Sequence, residues 1–140
     1  MRTRALALMT TTALASVAPL AAVAAATPAP VAAKPVVYHQ KDSGRTVKAS
    51  VGKAFEVRLE VCADCGNSLR LIAPNARVLR LEHTSVTSTA KPPAVGGEEF
   101  ETWTFKPKNP GSAAIRVTQR SAEKGGKVTK RFALKVHVIK

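Results

Sequence analysis

A chain of 140 residues has room for one modest domain. Its 22 Lys and Arg against 9 Asp and Glu leave a formal charge of +13, which invites an acidic partner, nucleic acid or an anionic surface. The basic residues are spread along the sequence without aromatic interleaving. A nucleic-acid binder built on stacked rings or a basic helix is therefore disfavoured, and a solvated cationic surface is the expectation.

The chain opens Met1-Arg2-Thr3-Arg4, and residues 5–26 then carry no charge. A basic start, an apolar middle and a small-residue end, at Ala22-Val23-Ala24 or Ala24-Ala25-Ala26, have the form of a secretory signal. The competing reading is an uncleaved membrane anchor. It is disfavoured by the Ala and Thr content of the run and by the lack of a cationic stop after it. The expectation is a leader over residues 1–26, export to the periplasm or the medium, and no stable membrane insertion after the leader leaves. Loss of Arg2 and Arg4 with it lowers the formal charge from +13 to +11. Residues 27–35 (TPAPVAAKP) are Pro- and Ala-rich and read as a semi-extended linker. Residues 36–140 then form one domain.

Period-two alternation dominates that domain. Val47, Ala49 and Val51 share one phase against Lys48 and Ser50; Phe55, Val57, Leu59 and Val61 oppose Glu56, Arg58 and Glu60. Leu69 with Leu71, Leu79 with Leu81, Trp103 with Phe105, and Ala113 with Ile115 and Val117 give four further candidates. The last run sets Phe132, Leu134, Val136 and Val138 against Arg131, Lys135, His137 and Ile139. Alternation of this kind marks strands wet on one face. Gly- and Pro-rich breakers separate the runs, and no stripe of helical period is present. About seven short strands predict an all-β, immunoglobulin-like antiparallel β-sandwich, because one-sided strands are covered by pairing two layers. Residues 89–99 (TAKPPAVGGEE) are too long and too rich in Pro and Gly for a tight hairpin, and predict a long loop of the kind that carries recognition.

Candidate chemistry is sparse. In Cys62-Ala63-Asp64-Cys65 the even cysteine count of an exported chain favours a disulfide. So short a loop gains only about 2 kcal/mol from the bridge, so its use would be to fix a shape. A redox pair and half of a metal site are the alternatives, the first wanting a helix N-terminus and the second two further ligands. His39, His83 and His137 lie far apart in sequence, and Trp103 reads as core. No G-x-S-x-G or paired buried carboxylates occur, so neither catalysis nor a cofactor or metal is expected.

Several stretches resemble one family. Val51-Gly52-Lys53-Ala54-Phe55-Glu56-Val57 is similar to the opening strand of chagasin-type inhibitors of papain-like cysteine peptidases. Gly96-Gly97, Trp103-Thr104-Phe105-Lys106, Gly111-Ser112-Ala113-Ala114-Ile115-Arg116-Val117 and the final run from Phe132 to Val138 fit as well. The resemblance covers residues 46–140. It implies a sandwich whose three loops at one end plug a peptidase cleft without being cleaved, as a monomer with a papain-like cysteine peptidase for partner. The family's first loop usually reads Asn-Pro-Thr-Thr-Gly; here Cys62-Ala63-Asp64-Cys65-Gly66 keeps only the glycine. Its second reads Gly-x-Gly-Gly; Ala94-Val95-Gly96-Gly97 keeps the last two. Its third reads Arg-Pro-Trp; Arg120-Ser121-Ala122 keeps the arginine. The resemblance thus implies peptidase contacts from Cys62, Ala63, Asp64, Cys65, Gly66 and Asn67, from Ala94, Val95, Gly96, Gly97 and Glu98, and from Arg120 and Ser121. A Cys62–Cys65 bridge would supply the stiffness that proline gives elsewhere in the family, since ordering a floppy loop opposes affinity. The absent third-loop aromatic counts against tight binding. The alternative is a non-inhibitory immunoglobulin-like module for another exported protein or a surface polymer.

Overall fold

A computed structural model describes residues 33–90 and 98–140. The expected leader, and the expected linker up to residue 32, lie outside the described residues. Eight strands follow one another: β1 (Val36–Tyr38), β2 (Thr46–Ser50), β3 (Phe55–Val61), β4 (Asn67–Ile72), β5 (Leu79–Ser88), β6 (Glu99–Pro107), β7 (Gly111–Ser121) and β8 (Lys127–Ile139). A single 3-10 turn, Gln40–Asp42, stands between β1 and β2. Sheet A has the order β1-β3-β6-β5 and sheet B the order β2-β8-β7-β4. The expected all-β, immunoglobulin-like sandwich is the fold. All seven alternating runs are strands, and β1 is an eighth, three residues long.

The two sheets are mixed rather than purely antiparallel. Strand β1 runs parallel to β3, with Val36 opposite Phe55, and β2 runs parallel to β8, with Val47 opposite Val136. The N-terminal segment therefore serves both sheets in turn, one edge each, and changes sheet at the 3-10 turn. Asp42 holds that switch: its carboxylate accepts from the His39 N–H at 2.9 Å and from the Arg45 guanidinium at 2.6 Å. The backbone hydrogen bond first, and the Arg45 charge after it, keep the Asp42 carboxyl below its usual range.

The inward phases of the strands make the core. Val57, Leu59, Phe105, Ile115, Leu134 and Val136 are sealed from solvent, and Phe55 stacks on Phe105 with ring centroids 5.8 Å apart. Trp103 is buried with them, as expected. Two residues depart from the expected pattern. Strand β2 stops at Ser50, so Val51 lies in the following turn and is 40% exposed. Leu79 is buried but Leu81 is 41% exposed, where a shift of register between Leu81 and His83 breaks the alternation of β5. Among the described residues no helix is long and apolar enough to cross a membrane.

Candidate functional site: the loop end of the sandwich

Register puts three connections at the same end of the molecule. In sheet A, β3 finishes at Val61 opposite Glu99, which also faces Ser88 at the finish of β5. In sheet B, Asn67 opens β4 opposite Ser121, and Ser121 faces Lys127 at the start of β8. The turn over residues 62–66 joins the two sheets at this end. The mouth of the β5–β6 loop and the β7–β8 turn flank it.

The first loop is a knot of short-range bonds. Cys62 and Cys65 are joined by a disulfide across a Cα separation of 5.2 Å. Among the described residues no group of three or more His, Cys, Asp or Glu is placed to hold a metal. The Cys62 carbonyl accepts from the N–H groups of Cys65 and Asn67, each at 3.2 Å, and the Ala63 carbonyl accepts from Gly66 at 2.8 Å. Gly66 has φ +69°, a conformation other residues adopt only with strain, which explains why this position keeps glycine. Ala63, Asp64 and Cys65 are exposed, whereas Cys62, Gly66 and Asn67 are half-buried.

The third loop is tied to the first. The Ala122 N–H donates to the Gly66 carbonyl at 2.8 Å, and a Cβ on Gly66 would meet that of Ala122 at 3.4 Å. Arg120 is exposed, and its guanidinium donates to the Gly126 carbonyl at 3.0 Å across the turn it precedes. Ser121 is only 5% exposed and forms the floor of the loop, so its side chain is not offered at the surface. Glu123 and Lys124 stand exposed at the tip. The signal for them was the Gly125-Gly126 pair, whose φ of +63° and +74° closes the turn just behind.

Of the second loop only the two legs belong to the described residues. Thr89 clasps Glu98, its N–H and hydroxyl both donating to the Glu98 carbonyl, at 2.9 and 3.1 Å. Glu98 is exposed. Ala94, Val95, Gly96 and Gly97 lie outside the described residues. Just inside this mouth, Glu101 sits between Leu59 and Val86 on the inward phase, and burial pushes its carboxyl above the usual range.

Residues 48–136 match the chagasin family peptidase inhibitor I42. No curated protein sequence matches the chain. Among solved structures, the cysteine protease inhibitor EhICP2 from Entamoeba histolytica is similar with a TM-score of 0.64 at 15% identity, over 74% of this chain and 95% of that one. Amebosin is similar at 0.56 and 17%, over 76% of this chain and 100% of its own. PbICP-C, solved in complex with falcipain-2, is similar at 0.51 and 16%, over 76% and 92%. At these identities the likeness is one of fold.

Proposed function

This chain belongs to the chagasin family of peptidase inhibitors, which are not enzymes, and from that membership we propose that it inhibits papain-like cysteine peptidases by laying its loop end into the active-site cleft. The observation that carries the reading is the fastening of the first loop, bridged at Cys62–Cys65, to the third loop through Gly66 and Ala122. A plug must be stiff before it binds, because every loop ordered on docking subtracts from affinity. Here the stiffness comes from a disulfide and a carbonyl–amide clasp. Ala63, Asp64 and Cys65 form the central tip, with Cys62, Gly66 and Asn67 as its base. Glu98 takes one flank and Arg120 steadies the other above Ser121, and Ala94, Val95, Gly96 and Gly97 are proposed to add contacts to the peptidase. Two structural neighbours support this target class: one is a cysteine protease inhibitor, and another was captured in complex with falcipain-2.

In the same reading, residues 1–26 direct export and are removed, residues 27–35 space the domain from the cleavage site, and the domain over residues 36–140 acts as a monomer. Neither nucleic acid nor stable membrane insertion has a part in it.

Titration of the purified protein against papain and a cathepsin-like peptidase tests the reading. Loss of peptidase activity between nanomolar and micromolar inhibitor, with the inhibitor recovered uncleaved, is the expected result. No inhibition by folded, oxidised protein at high micromolar concentration would reject it for this peptidase class. An immunoglobulin-like module serving another exported partner would then be the better reading.

A further inference from the structure

The strands of sheet B contain no Asp or Glu, whereas those of sheet A carry Glu56, Glu60, Glu82, Glu99 and Glu101. Basic residues that look scattered in sequence are thus gathered by strand alternation. Lys48, Arg70, Arg116, Arg120, Arg131 and Lys135 all project from the outer face of sheet B, and all are exposed. Among the described residues none of these six forms an ion pair.

Register orders them into a stripe. Across the sheet, Lys48 stands opposite His137, and Lys135 stands between Thr46 and Ala114. Next comes Arg116 between Ala133 and Ile72, then Arg131 and Arg70 on either side of Thr118, then Arg120 opposite Ser68. Five successive cross-strand rows therefore each hold at least one cation. Outward positions repeat about every 7 Å along a strand, so the stripe runs roughly 28 Å in the strand direction. Between the cations lie mostly Thr, Ser and Ala, with Ile72 beside Arg116 and Val128 opposite Arg120, and two shallow hollows open among them. One, of about 390 Å³, lies beside Lys135 and His137; the other, of about 360 Å³, lies between Arg70 and Arg120.

We propose that the outer face of sheet B binds a linear acidic polysaccharide, its carboxylate, sulfate or phosphate groups lying along the cationic stripe. Charge complementarity sets the sign of the partner. The shape of the stripe, long and one or two cations wide, fits a line of charges rather than a plane of lipid headgroups. No aromatic side chain stands on this face, so it offers no platform for stacking bases, which single-stranded nucleic acid would use. The stripe lies along the flank of the sandwich and meets the loop end only at Arg120. A polymer on the face would leave the tips of the first and third loops free, so an inhibitor could be held on a surface while still engaging its peptidase.

The test compares two variants of equal net charge with the unmodified protein, using a heparin oligosaccharide as the probe. One is R70Q/R116Q/R131Q/K135Q on the stripe. The other is K41Q/K53Q/R77Q/K108Q at exposed positions off it. At low salt the stripe variant is expected to bind heparin roughly 600-fold more weakly, and the off-stripe variant within about threefold of the unmodified protein. Papain inhibition, read in parallel, is expected to be unchanged in the stripe variant, which separates this inference from the reading of the loops. If the quadruple variant does not fold, Arg116→Gln and Lys135→Gln singly are each expected to weaken heparin binding by about fivefold. Equal losses in the two quadruple variants would overturn the proposal in favour of a net-charge effect. Tighter binding of single-stranded DNA, or of phosphatidylglycerol vesicles, than of heparin through the same four residues would overturn it as well.

Discussion

Glu101 is a carboxylate on the apolar phase of its strand, between Leu59 and Val86, with its ionised form disfavoured by burial. An acid whose pKa is raised on folding binds protons more readily in the native state. Its contribution to stability is therefore fully present at low pH and is lost as pH rises through the native titration. Replacing it with Gln removes that loss. Glu101→Gln is expected to raise the thermal midpoint by roughly 2–4 °C at neutral pH and to leave it unchanged in acid, which melts across a pH series will check. Asp42 has the opposite sign, because its charged form is held by the His39 N–H and by Arg45. Glu101 was legible in the sequence only as one of several acids near a long loop. Its strand phase identifies it as an acid turned inward, and nothing in composition separates it from Glu98 or Glu99.

Strands are legible in the sequence wherever alternation persists over several residues, as in β3 and β8, because a half-buried strand has no other period. They are not legible where length or regularity runs out. Strand β1 has three residues, too few to display a period. At Leu81 a bulge shifts the register, so a residue on the apolar phase meets solvent. The parallel edges were not readable either, since direction depends on where the chain changes sheet and not on which side chains alternate. The first loop was legible as a bridge in place of proline. Its clasp to Ala122 was not, because the two partners are far apart in sequence. The Cys62→Ser/Cys65→Ser variant separates stiffness from stability. The chain-entropy model puts the cost of losing so short a bridge at about 2 kcal/mol at most. Inhibition of papain is expected to weaken by roughly tenfold or more, through a faster off-rate, as ordering of the loop moves to the moment of binding. Unchanged inhibition in the folded variant would remove the bridge from the site.

At the scale of the molecule, folding sorts charge that the sequence leaves mixed. Lys and Arg alternate with apolar residues on β7 and β8, and the same alternation that buries Ile115 and Leu134 turns Arg116 and Lys135 out together. The sequence reading of a diffuse, solubilising charge followed from position along the chain. Only pairing between strands distant in sequence shows the charge gathered on one sheet. Topology likewise brings residues 62–66, the Thr89–Glu98 clasp and residues 122–126 to one end, although they are spread over half the chain. In the proposed function this end occupies the active-site cleft of a papain-like peptidase, and occupancy can be measured directly. Binding of the purified protein would be measured to free papain and to papain whose cleft is filled by a covalent peptidyl label on the active-site cysteine. Binding to free papain and none to the labelled enzyme is the expected result. Equal binding to both forms would contradict the claim, because the contact surface would then lie outside the cleft.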